Sequence, residues 1–142
     1  MKPWLLDTGP IVAYLDSDDA FHEAAAAVLD GFKGELVTTT AVITEVMHFV
    51  KRRPRGPGQF VDFLEASGIR AQDYCQASAA RRAVSLMEKY SDVPMDFTDA
   101  SLTLLGEDLR IYSICTLDQR GFSVFRTPSG KRFKIVLEPF AI

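Results

Sequence analysis

The chain has 142 residues, a length that suits one domain with a full core. Apolar residues make up 47% and charged residues 25%, and a net charge of −3 excludes a domain that holds nucleic acid by bulk positive charge. No apolar run approaches the ~20 residues of a membrane span, and Met1-Lys2-Pro3-Trp4 leads into a short strand without a signal-peptide core, so a cytoplasmic protein with no membrane partner is expected.

Pro3–Asp7 reads as a short buried strand. Thr8-Gly9-Pro10 then turns into a helix around Ile11–Leu15, with proline tolerated in its first turn. Asp16–Asp19 is a polar break that suits the cap of a helix over Phe21–Leu29, and Gly31 and Gly34 bracket its end. Glu35–Thr38 is the next strand. Thr39 or Thr40 caps a helix running to about Arg52, in which Ile43, Val46, Met47 and Val50 follow the i, i+3, i+4, i+7 pattern and Val42 and Phe49 widen the face. A helix so apolar is expected to lie deep in the fold.

Arg53-Pro54-Arg55-Gly56-Pro57-Gly58 is the sharpest break and reads as an exposed loop between helices. Gln59–Ala66 is amphipathic, and Ile69–Asp73 reads as an edge strand. Gln76–Tyr90 is a helix with Ala80, Val84 and Met87 turned inward. Asp96–Asp108 is another helix, and Ile111–Thr116 an apolar strand. Ser123–Phe125 reads as the last strand of the sheet, Thr127–Gly130 as a turn, and Arg132–Leu137 as a returning hairpin strand. Alternating strands and helices predict a single α/β domain over 1–142, with a parallel sheet of about five strands and residues 127–142 as a C-terminal extension. In such sheets ligands bind beyond the carboxyl ends of the strands, where Asp7 and Asp118 fall.

Four acidic residues occupy settings poor for a charge. Asp7 follows Trp4-Leu5-Leu6, Glu45 interrupts an apolar helix, Asp99 opens the apolar stretch Ala100–Leu105, and Asp118 follows Ile111–Leu117. Ionised carboxylates are seldom buried without a partner. Four that converge are most simply reconciled by divalent cations, which take hard oxygen ligands and promote phosphodiester hydrolysis. Cys75 and Cys115 have no zinc or CxxC spacing and read as small core residues, and His22 and His48 read as structural.

Leu5-Leu6-Asp7-Thr8, Thr44-Glu45-Val46, Phe97-Thr98-Asp99-Ala100 and Thr116-Leu117-Asp118 resemble, in order and spacing, the four acidic motifs of the PIN domain. The likeness runs from about residue 3 to 126 and is strongest to the VapC-type ribonuclease toxins of toxin–antitoxin pairs. It implies that Asp7, Glu45, Asp99 and Asp118 form a catalytic pocket that binds Mg²⁺ or Mn²⁺ and hydrolyses RNA. It also implies a cognate antitoxin and a homodimer.

Asp7, Asp99 and Asp118 are then the expected metal ligands. Asp96, the i−3 neighbour of Asp99, is either an accessory ligand or an acid favoured by the helix dipole. Thr8 is either a turn hydroxyl or a phosphate contact, and Thr116 joins it as a candidate substrate contact. Lys51, Arg52, Arg53, Arg55, Arg120 and Arg126 are either RNA-phosphate contacts or solvated surface. Tyr14, Phe49, Phe60 and Phe63 suit a core or dimer surface better than base stacking. Two other functions remain open: an RNA-processing nuclease with no toxin role, and a non-catalytic acidic-pocket binding or signalling domain.

Overall fold

Continuous apolar runs form the middle of the sheet. In the computed structural model, which describes residues 1–138, β1 (Trp4–Leu6) pairs in parallel with β2 (Leu36–Thr39) on one side and β4 (Ser113–Cys115) on the other. Leu5, Leu6, Ile114 and Cys115 are wholly buried, as expected of parallel strands covered by helices on both faces. β3 (Arg70–Gln72) extends the sheet beyond β2, and β5 (Lys134–Ile135) extends it beyond β4. The order is β3-β2-β1-β4-β5, all parallel.

Among the described residues seven helices accompany these strands: α1 (Thr8–Leu15), α2 (His22–Gly31), α3 (Thr40–Val50), α4 (Gly56–Ser67), α5 (Ala77–Lys89), α6 (Phe97–Leu109) and α7 (Gln119–Phe122). α6 is the most enclosed, with every residue from Thr98 to Gly106 buried except Asp99. A Cβ at Gly106 would stand 2.8 Å from the Ile111 carbonyl oxygen, so glycine lets the chain leaving α6 pass close beneath it. Among the described residues, no helix is long and apolar enough to cross a membrane.

Several predicted elements shift. Gly56, Pro57 and Gly58 are not loop but the first turn of α4, where a proline lacking its N–H costs nothing. In α5 the buried residues are Ala83 and Leu86, while Val84 is 47% exposed. α3 turns Val42, Val46 and Val50 inward but leaves Phe49 54% exposed, so it is less enclosed than its composition suggests. Cys115 is buried as expected, whereas Cys75 is exposed.

The largest correction concerns the end of the chain. Residues 123–125 are not a strand. The Asp118 carboxylate accepts from Gly121 N and starts the short helix α7, and residues 123–125 follow it as a turn, with Val124 N and Phe125 N both donating to Gly121 O. Thr127–Gly130 does turn, with Gly130 N donating to Thr127 O, but among the described residues only the single bridge Arg126↔Arg132 is antiparallel. The chain then enters β5, parallel to β4. The expected hairpin strand is therefore the fifth strand of the sheet. Residues 139–142 of the expected extension lie outside the described residues.

Candidate active site

The strand order reverses between β1 and β4: from β1 the chain moves one way to β2 and β3, then returns to the other side as β4 and β5. Such a switch point opens a crevice at the carboxyl edge. Asp7 leaves β1 there and caps α1, with Oδ1 accepting from Thr8 N at 2.8 Å. Thr116 leaves β4 there and donates its hydroxyl to Asp7 Oδ2 at 2.7 Å. The backbone closes the same junction, Asp7 N donating to Cys115 O.

Glu45 comes from the second turn of α3, which Thr39 caps through Val42 N. Its Oε2 accepts from Thr98 Oγ1 at 2.9 Å, joining α3 to α6. Asp99 sits in the first turn of α6 in a reciprocal capping box. Asp96 Oδ1 accepts from Asp99 N at 2.8 Å, and Asp99 Oδ2 accepts from Asp96 N at 3.2 Å.

Asp7, Glu45, Asp99 and Asp118 all line one open pocket of about 410 Å³, along with Thr8, and no lysine or arginine lines it. Among the described residues the ion pairs join Arg53 to Asp16, Arg70 to Glu35 and Arg82 to Asp108, so none neutralises a pocket acid. The buried arginine pair that would explain Glu45 structurally is absent from that set.

The electrostatic consequence falls on two groups. Burial pushes Asp7 up from 3.8 to about 6, against the Thr116 and Thr8 hydrogen bonds, with the charges of Glu45 and Asp96 adding to the rise. Asp99 is also driven well above the usual carboxylate range, by burial first and then by the charges of Asp96 and Asp7. Like charges held in a poorly solvated place disfavour ionisation, and a cation reverses that preference.

The residues present fit a hard divalent cation. The donors are carboxylate oxygens, and Thr8 adds a buried hydroxyl with no hydrogen-bond partner in the protein. Among the described residues no three His, Cys, Asp or Glu side chains stand close enough together to hold a metal ion by themselves.

The remaining expected residues divide. Asp96 is exposed, caps α6 and does not line the pocket. Asp118 is exposed at the rim, its Oδ1 accepting from Gly121 N at 2.9 Å. Thr116, expected to touch substrate, is instead fully enclosed: its oxygen donates to Asp7 and accepts from Asp118 N, so it positions the acid. Arg53 is likewise committed elsewhere, donating to Leu15 O at 3.0 Å and pairing with Asp16. Arg52, Arg55 and Arg120 are exposed. Asp19 and Phe49 line the pocket although neither was a site candidate. Asp19 had the look of a helix cap, and its Oδ1 does accept from Phe21 N.

A five-stranded parallel sheet with an acidic pocket at its switch point defines an α/β domain whose site lies beyond the carboxyl ends of its strands. More particularly, the chain belongs to the PIN domain family, whose match spans residues 4–126. It is 29% identical over 133 residues to Ribonuclease VapC26 of Mycobacterium tuberculosis (strain ATCC 25618 / H37Rv), covering 93% of this chain and 98% of that protein. Its fold is similar to the crystal structure of Mycobacterium tuberculosis VapC20, described as a sarcin-ricin loop cleaving toxin. There the TM-score is 0.73 at 18% identity, over 81% of this chain and 89% of that one. The family match ends at residue 126, before β5.

Proposed function

We propose that the chain is a divalent-cation-dependent endoribonuclease that hydrolyses RNA phosphodiester bonds as the toxin of a toxin–antitoxin pair. The observation that carries this reading is the pocket itself, in which Asp7, Glu45, Asp99 and Asp118 meet without a basic neighbour in its lining. Full-length similarity to a ribonuclease supports RNA as the substrate, and the toxin description of the structural neighbour supports the cellular role.

In this reading Asp7 and Asp99 are the principal ligands of Mg²⁺ or Mn²⁺, with Asp118 at the rim and Asp96 a neighbouring charge. A bound cation supplies charge neutralisation at the phosphoryl oxygens and makes a nearby water more acidic. The chain's own residues do the rest. Thr116 fixes the rotamer of Asp7 through its hydroxyl. Thr98 holds Glu45 so that its other carboxylate oxygen is left to accept a proton from the attacking water. The unpartnered Thr8 hydroxyl donates to a phosphate oxygen. Arg52, Arg55 and Arg120 hold flanking phosphates from exposed positions. The family resemblance adds an antitoxin partner, a homodimer and a cytoplasmic setting.

The test is cleavage of a structured RNA by the purified chain with Mg²⁺, with Mn²⁺ and with chelator. Cleavage that needs the cation and disappears in Asp7→Asn is expected. Undiminished cleavage by Asp7→Asn, or full activity in chelator, sinks the assignment.

A further inference from the structure

Beside the acidic pocket is a second opening of about 670 Å³, lined by Ala41, Thr44, His48, Phe49, Cys75 and Phe97. The two are continuous, because Glu45 and Phe49 line both. The wall between them is fastened by the hydrogen bond from Thr98 to Glu45.

Phe49 is the unusual residue of this wall. It is 54% exposed on a helix whose Val42, Val46 and Val50 are buried. Its neighbour His48 meets it edge-on, with ring centroids 5.8 Å apart and planes at 69°. Glu45 and Phe49 are i, i+4 neighbours and share one stripe of α3. At the end of α3, Lys51 Nζ stands 3.3 Å from His48 Nδ1, and both Lys51 and Arg52 are exposed. Among the described residues neither cation is in an ion pair. The stripe thus runs from carboxylate to aromatic ring to the exposed Arg52, i+3 from Phe49 just past the end of α3, with Lys51 held against His48.

We propose that Phe49 is the stacking platform for the unpaired nucleobase beside the scissile phosphate, with Lys51 and Arg52 holding the next phosphate along. The inference rests on the ribonuclease reading above and names how that site takes its substrate. Single-stranded RNA fits each part of the run. Its unstacked bases seek aromatic faces, which accept any base. Its backbone is repelled by the acids until they are neutralised and attracted by the cations beyond the ring. A second copy of the chain would also cover Phe49, and the test separates the two.

The experiment uses an RNA that is single-stranded across the mapped cleavage site, carrying either its native base or an abasic residue beside the scissile bond. Wild type, Phe49→Ala and Phe49→Trp are compared by steady-state cleavage and by sedimentation. Loss of one stacked base is expected to raise KM about tenfold in Phe49→Ala, with kcat changed less and Phe49→Trp restoring KM. The abasic RNA should show the raised KM already in wild type, with no further rise in Phe49→Ala. Equal KM values for wild type and Phe49→Ala overturn the inference, as does the same Phe49→Ala effect on abasic RNA. A dimer that falls apart in Phe49→Ala while native and abasic RNA behave alike assigns the surface to a second copy instead. No cleavage by wild type sinks the ribonuclease reading and this inference together; cleavage indifferent to Phe49 sinks this inference alone.

Discussion

Replacing Asp7 by asparagine should make the cation-free protein more stable, and more so as pH rises. Asp7 is only 8% exposed, and its folded-state pKa is about 6 against an ordinary 3.8. The folded chain therefore holds this proton more tightly than the unfolded chain. Stability from the raised pKa is fully present below 3.8 and is lost as pH climbs through about 6. The total loss, from below pH 3.8 to well above pH 6, is about 3 kcal/mol, of which about 1.5 kcal/mol appears between pH 5 and 8. Asparagine carries no charge, keeps an acceptor for Thr8 N, and offers its amide to the Thr116 oxygen that Asp7 now accepts from. It also removes one of the charges that raise Asp99. Urea unfolding in chelator at pH 5 and 8 measures the effect. Asp7→Asn should exceed wild type at both, with the gap wider by about 1.5 kcal/mol at pH 8. Saturating Mn²⁺ should then stabilise wild type by about 3 kcal/mol at 100 times its Kd and leave the variant unmoved. A gap that ignores pH, or a variant less stable than wild type at pH 8, refutes the reasoning that Asp7 is held charged against its solvation.

Other perturbations separate positioning from chemistry. Thr116→Val keeps the shape but removes the hydroxyl that lowers the Asp7 pKa, so the pH–rate profile should move to higher pH and kcat fall about tenfold with little change in KM. Gly121→Ala puts a Cβ 2.3 Å from Asp118 Oδ2 and 2.8 Å from the Phe125 ring; calorimetry should show a loss of about 1–3 kcal/mol as α7 shifts. Arg55 caps α4 with a left-handed φ of 62°, so Arg55→Gly should gain about 0.5–1 kcal/mol by urea unfolding. If Arg55 also meets a phosphate, the same variant should bind RNA more weakly and reduce the salt slope by about one.

The centre of the fold was legible because burial on both faces demands uninterrupted apolar residues. Trp4-Leu5-Leu6, Leu36-Val37 and Ile114-Cys115 announce themselves that way. The edges carried no such signature. β5 is only Lys134–Ile135, and its partner is chosen by the sheet, not by any local turn. Ser123-Val124-Phe125 has the better strand composition, yet it forms the turn that closes α7, with Val124 N and Phe125 N donating to Gly121 O. Glycine and proline at 56–58 look like a loop because their role as a helix start depends on what precedes them.

The acids were legible as a set because each follows, interrupts or opens an apolar run of the sequence, although Asp118 stands exposed in the fold. What each does was less so. Asp96 and Asp99 are equivalent by spacing, and only the fold separates the exposed cap from the residue in the pocket. Thr116 and Arg53 were credible substrate contacts until their hydrogen bonds to Asp7 and Leu15 were seen. Phe49 belongs to the apolar pattern of α3, and only the packing of its neighbours leaves it in the open.

The most direct test of the central claim is RNA cleavage by Asp99→Asn across a Mg²⁺ titration, beside wild type. Asp99 leaves α6 far along the chain from Asp7, so only the folded pocket unites them. A folded variant whose cleavage falls about 100-fold or more, and is not recovered by excess Mg²⁺, is the predicted result. A folded variant that cleaves at the wild-type rate with unchanged Mg²⁺ dependence contradicts the account.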